Sequence, residues 1–222
     1  EFISNVNQNL QTNRGIVYTP EFVVDFICRF SNVICRQFFG KEKGLLSQEI
    51  FLYDPAVGPL SFEFGCVKLA TQNVSQTKDL VKWYTEIFLS HFYGNELNAS
   101  GFVVGNVVLQ LVLALIDEEN LNEPKEIGVR LQNALSRSNQ ERILKILSEK
   151  PANLENLTNL TNETMQMRET HCSPLIVMGN PPYSVSSQTR SDWLNELLSA
   201  YAVNEPNITR LHDDYVKFLR FA

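Results

Sequence analysis

The chain has 222 residues, 44% of them hydrophobic and 20% charged, and a formal net charge of −6. That is the composition of globular material, with room for one large domain, and it excludes a disordered polypeptide. The acidic balance also argues against a self-sufficient grip on nucleic-acid phosphates, which needs clustered Lys and Arg. Residues 1–14 are polar and rich in Asn and Gln, with no clear period. In Gly15-Ile16-Val17-Tyr18-Thr19-Pro20, Thr19 suits an N-cap and Pro20 the first helical position, where its missing donor costs nothing. The helix is expected to run to about residue 39, to bury a face of Phe22, Phe26, Phe30 and Val33, and to end at Gly40.

An apolar strand at 50–53 then leads into Asp54-Pro55-Ala56-Val57-Gly58-Pro59-Leu60-Ser61-Phe62. A strand, an acid and a glycine turn ahead of a helix make a nucleotide-type cradle. The glycine lets the backbone approach closely, and the helix N-terminus supplies donors. Helices are expected at 64–72 and 78–90. A second strand at 92–98 carries Glu96, an acid placed to accept both hydroxyls of a ribose. Residues 99–116 read as a buried helix, apolar nearly all round; the run 102–116 contains Asn106 and Gln110 and is too short to span a bilayer.

The stretch 117–170 is less informative. Glu118, Glu119, Glu123 and Glu126 form a solvated acidic patch, 129–135 and 140–149 read as amphipathic surface helices, and a weak third strand falls near Leu157. Next comes Leu175-Ile176-Val177-Met178-Gly179-Asn180-Pro181-Pro182-Tyr183-Ser184. Its apolar start reads as an interior strand of a parallel sheet. Pro181 stops the strand and Pro182 restricts the residue before it to extended geometry. The Asn180 amide and the Pro181 carbonyl are therefore held stiffly at the strand's carboxyl end, where open α/β sheets bind ligands. Two fixed acceptors beside the flat face of Tyr183 suit a planar group that carries an amine. Ser191 then N-caps a helix with Trp193, Leu194, Leu197, Leu198 and Tyr201, and a last amphipathic helix starts over 213–222 and stops without a cap.

The four cysteines show no CxxC pair, and Cys28 and Cys35 lie seven apart on one helix face, so reduced core thiols are expected. His91, His171 and His212 are scattered, and no metal site is expected. No signal peptide is visible, and the reading is of a cytoplasmic protein with no membrane partner.

Asn180-Pro181-Pro182-Tyr183 resembles the catalytic tetrapeptide of amino-methyltransferases dependent on S-adenosyl-L-methionine (AdoMet), above all those acting on the exocyclic amine of adenine in DNA. The resemblance implies that the Asn180 oxygen and the Pro181 carbonyl accept hydrogen bonds from the target amine, and that Tyr183 stacks on a base flipped out of the duplex. Tyr18-Thr19-Pro20 resembles the same family's N-terminal motif, which touches the methionine part of the cofactor. The cofactor loop, Asp-Pro-Ala-x-Gly-x-Gly-x-Phe in the family, is matched at Asp54, Pro55, Ala56, Gly58 and Phe62. It departs at Leu60, whose side chain points either into the cofactor space or away from it. By the same resemblance Asp54 lies near the AdoMet amino group and Glu96 on the ribose. Asn162 is the candidate polar residue near the target base.

The motif order is similar to that of adenine methyltransferases with a C-terminal recognition domain, and to the methyltransferase part of type ISP and type IIG-like restriction-modification enzymes. It implies a Rossmann-like α/β sheet with helices on both faces, of which residues 1–222 form the N-terminal portion of one catalytic domain. Within it, 1–40 is the N-terminal segment and helix, 50–116 the AdoMet-binding half, 117–170 a variable insertion, and 171–222 the catalytic strand and following helices. Expected partners are double-stranded DNA and the target-recognition, helicase and nuclease regions of the same or a larger polypeptide. Two other readings stay open. One is a protein-glutamine or RNA amino-methyltransferase. The other is a degenerate domain that has lost cofactor binding through Leu60 and serves as a structural or DNA-interaction module.

Overall fold

The computed structural model describes residues 19–116, 128–149, 174–183, 189–202 and 211–222. Helix α1 (Glu21–Gln37) precedes a short 3-10 turn (Gly44–Leu46) and strand β1 (Phe51–Asp54). Helix α2 (Ser61–Asn73) follows, then α3, which begins at Thr77–Lys82, passes through π-helical turns at Trp83–Phe88 and closes at Leu89–His91. Strand β2 (Phe92–Glu96), helix α4 (Ala99–Ile116), strand β3 (Gly128–Leu131) and helix α5 (Arg137–Glu149) come next. Strand β4 (Leu175–Val177) and helices α6 (Asp192–Ala202) and α7 (Asp214–Phe221) complete the described elements.

The four strands pair in parallel in the order β3-β2-β1-β4. This is the 3-2-1-4 arrangement of a Rossmann-like sheet. Its ligand crevice opens where the order reverses, between the carboxyl ends of β1 and β4. Register makes the two faces distinct, because Leu52 pairs with Phe92, Asp54 with Gly94, and Gly94 with Val129. Leu52, Phe92, Val129, Ile176 and Met178 belong to the main core with α1, α2, α3 and α4. On the opposite face Tyr53 meets Phe221 of α7, and its hydroxyl accepts from Asn139 Nδ2 of α5 at 2.9 Å. The expected α/β architecture with helices on both faces is what the chain adopts.

Several expected elements differ. The helix expected at 129–135 is strand β3, a short edge strand with one buried residue, Val129, too brief for its alternation to be read. The residues that follow the third strand are therefore Gln132 and Asn133; the strand expected near Leu157, and Asn162, lie outside the described residues. On α1 the phenylalanine stripe faces outward, with Phe22 75%, Phe26 65%, Phe30 54% and Val33 43% exposed, while Val24, Cys28 and Cys35 are buried. Close packing explains the choice. A Cβ on Gly65 of α2 would stand 2.6 Å from both Cys28 Sγ and Val24 Cγ1, an approach that large aromatic rings could not make.

Helix α4 is not buried all round. Leu109 is buried, and Gly101 and Gly105 face the loops after β1 and β2, whereas Val103, Val107, Leu111 and Leu115 line an exposed stripe. At the start of α1, Pro20 is itself the N-cap residue, and no side chain caps the helix. Ser191 does cap α6, its hydroxyl accepting from Leu194 N at 3.1 Å. Among the described residues no helix is long and apolar enough to cross a membrane.

Candidate functional site

The crevice is built from two strand ends. Met178 N donates to Tyr53 O at 3.0 Å, so the chain leaving β4 runs beside the last residue of β1. There the Asp54 carboxylate meets Gly179: a Cβ on that glycine would stand 2.4 Å from Asp54 Oδ1 and 3.3 Å from Pro55 Cδ. The cofactor-loop motif and the tetrapeptide, far apart in sequence, are joined through this one contact.

Asp54 is 0% exposed, and its Oδ1 accepts from Ala56 N at 2.8 Å, which folds the loop back on the strand. Its Oδ2 is buried with no hydrogen-bond partner. Burial pushes the carboxyl up to about 7; the Ala56 N–H opposes this and the nearby charge of Glu96 adds to it. The loop continues through Val57, whose N–H donates to Asn95 O at 3.0 Å, and through Gly58 at φ 53°. Gly58 N donates to Glu96 Oε2 at 2.8 Å, while Asn98 N donates to Glu96 Oε1 at 2.7 Å. Glu96 thus clamps the loop after β1 to the end of β2, on the sheet face that also carries Asp54 and Gly94. Each carboxylate oxygen keeps further acceptor capacity beyond these bonds.

Leu60 settles the question that its position raises. It holds left-handed backbone angles, φ 64° and ψ 37°, where the family has glycine. Its side chain is 2% exposed and turned into the main core. A Cβ on Gly105 of α4 would stand 3.0 Å from Leu60 Cγ, so a glycine in α4 makes the room. The leucine is packed in the core against α4 rather than exposed at the surface of the loop.

Past β4, Asn180, Pro181 and Pro182 are half-buried and Tyr183 is 50% exposed. The Tyr183 hydroxyl donates to Asn180 Oδ1 at 2.6 Å. Its ring stacks on Tyr215 of α7, with centroids 6.0 Å apart and planes at 25°. The tetrapeptide therefore stands at the crevice with an aromatic pair beside it, and Tyr215 is a neighbour that its distance along the chain hides. Asn133 and Thr189 link the loops that follow β3 and β4, with Nδ2 3.5 Å from Oγ1, and Lys217 Nζ donates to Thr189 O at 2.8 Å.

The structure brings Asp54, Pro55, Ala56, Gly58 and Glu96 together with Gly179 and Asn180. Thr19 and Pro20 sit at the start of α1, which meets the far part of α2, where Glu21 pairs with Lys68. No described contact joins them to the crevice, and Tyr18 lies outside the described residues. A group missed from sequence is Glu63, buried in the first turn of α2 with both oxygens unpartnered. Among the described residues no three His, Cys, Asp or Glu side chains are placed to hold a metal.

The residues present fit an AdoMet-like group on two observations. Asp54 Oδ2 is a buried acceptor still seeking a donor, and Glu96, which holds the loop beside it through Gly58 N, keeps further acceptor capacity. No protein-family model and no curated protein matches the chain. Solved structures do. The ATP-dependent Type ISP restriction-modification enzyme LlaBIII bound to DNA superposes with a TM-score of 0.63 at 21% identity, over 93% of this chain and 14% of that one. The DrdV–DNA complex gives 0.65 at 20% identity, over 98% and 20%. A modification subunit assigned to a type I restriction enzyme from Vibrio vulnificus YJ016 gives 0.51 at 15% identity, over 99% and 31%. This chain thus spans less than a third of each of those chains, and the likeness is one of fold: a parallel α/β sheet flanked by helices.

Proposed function

We propose that this chain is the catalytic region of a restriction-modification adenine methyltransferase, which moves a methyl group from AdoMet to the exocyclic amine of an adenine flipped out of DNA. The observation that carries the reading is the Asp54–Gly179 contact, which puts the cofactor-loop motif and Asn180-Pro181-Pro182-Tyr183 at one switch point. The fold likeness to restriction-modification enzymes solved with DNA supports it.

When bound, AdoMet supplies an activated methyl group on a sulfonium. Asp54 and Glu96, on one sheet face, are the residues that hold its ammonium and its ribose hydroxyls, with Thr19 and Pro20 as further candidates from the motif. Asn180 Oδ1 and the Pro181 carbonyl accept the two N–H bonds of the target amine, which fixes its orientation and concentrates electron density on nitrogen. The Tyr183 hydroxyl already occupies one lone pair of that Asn180 oxygen, so the ring must either share the oxygen or swing aside as the base enters. Tyr183 then offers its face to the base. No covalent link to the protein is required, and positioning and electrostatics carry the rate.

The test is Asn180→Ala, with AdoMet binding read by calorimetry and methyl transfer read on adenine-containing duplex DNA. Transfer is expected to fall by about a hundredfold or more while AdoMet affinity stays within about threefold. Retained transfer would sink the role given to Asn180. A parallel assay on a glutamine-bearing peptide and on RNA separates the other amino-methyltransferase readings.

A further inference from the structure

The first turn of α2 holds an ionisable acid where a hydrophobic side chain would pack. Glu63 is 2% exposed, and neither of its carboxylate oxygens has a hydrogen-bond partner. Asp54 and Tyr84 are 0% exposed, and Asp54 Oδ2 and the Tyr84 hydroxyl are likewise unpartnered. Among the described residues, the ionisable groups that act electrostatically on Glu63, or are acted on by it, include Asp54 from β1, Cys28 from α1, Cys66 one turn along α2 and Tyr84 from α3. All are acids, and no cation is among them. Burial, followed by the charge of Asp54, drives the Glu63 carboxyl well above its ordinary range. A buried carboxylate with no donor is costly, and a leucine in its place would be the more stable core residue. What this cluster lacks is a compact cation with several N–H donors. Of the common biological cations, a primary ammonium has three donors on one centre.

We propose that Glu63 and Asp54 form a two-carboxylate subsite for a primary ammonium, that of the cofactor's amino-acid portion. The inference rests on the methyltransferase reading above and adds to it a residue outside the loop motif. Asp54 reaches the subsite from the crevice side, where it touches Gly179, and Glu63 closes it from the first turn of α2. Tyr84 stands behind them from α3. The subsite recognises the ammonium and ignores the base and sugar, so its contribution separates cleanly from that of Glu96.

The experiment titrates S-adenosylhomocysteine, and its analogue lacking only the amino group, into the parent chain and into Glu63→Gln and Glu63→Leu. Thermal melts establish that both variants fold. The parent is expected to prefer the amino-bearing ligand by roughly tenfold to a hundredfold. Both variants are expected to lose about tenfold of that preference while binding the deamino analogue as the parent does. An unchanged preference in both variants overturns the role of Glu63 and leaves the cofactor reading intact. Equal binding of the two ligands by the parent does the same. Failure of the parent to bind either ligand overturns the methyltransferase reading, and this inference with it.

Discussion

The Asp54 carboxylate rests directly on the α-carbon of Gly179, so closely that a Cβ there would stand 2.4 Å from Oδ1 and 3.1 Å from Cγ. The neighbour is a short, stiff side chain at the end of an interior strand, held by its bond from Ala56 N, and it has little room to give. The glycine ahead of Asn180 is thus required by packing.

Gly179→Ala should therefore displace the Asp54 carboxyl and, with it, the loop after β1. We expect about 1–3 kcal/mol of destabilisation, the usual cost of overpacking, and a loss of AdoMet affinity larger than that of Asn180→Ala. Calorimetry on the two variants side by side checks the order. Equal affinities would mean that Asp54 does not bear on cofactor binding.

Leu60→Gly installs the glycine of the motif that the loop resembles and relieves left-handed backbone angles, worth about 1 kcal/mol. It also deletes a fully buried leucine that fills the space over Gly105, a loss of about 2–5 kcal/mol. The variant should be less stable by roughly 2 kcal/mol in urea unfolding, and should bind AdoMet no more tightly than the parent. A stability gain would show that the side chain does not pack as described.

Asp54 also sets a pH signature. Its folded-state value, pushed up to about 7, lies above the ordinary 3.8, so between those limits the native chain holds a proton that the unfolded chain has released. Stability contributed by this group is full at low pH, falls as pH rises through that window, and is constant above it. Asp54→Asn should flatten the stability curve there by up to about 1.4 kcal/mol per pH unit, with its advantage over the parent vanishing at the acid end. Glu63 shifts in the same direction and remains in the variant, so a residual slope of the same sign is expected. Urea titrations from acid to neutral pH measure both.

Local chemistry made much of this protein legible in the sequence. The apolar run at Leu175 to Val177 marked a parallel strand, although among the described residues β4 is the terminal, half-buried strand of the sheet rather than the interior one expected, and it ends at Val177 ahead of Pro181-Pro182. Asp54 and Gly58 bounded a strand-to-helix cradle, and Ser191 capped a helix, because these constraints act over a few residues, whereas the Asp213 cap of α7 came only with the structure. The α/β class and the candidate site residues followed from such signals and their order.

Long-range packing decided the rest. That Leu60 is buried depends on Gly105 in α4, and which face of α1 is buried depends on Gly65 in α2, since only small residues let those elements meet so closely. The edge strand β3 takes its conformation from pairing with β2 rather than from its own short pattern. Glu63 reads in sequence as an ordinary first-turn acid. Only the strand order β3-β2-β1-β4, and the helices laid over it, turn it into a buried partner of Asp54, because burial and electrostatic coupling belong to positions in space and not to positions in a chain.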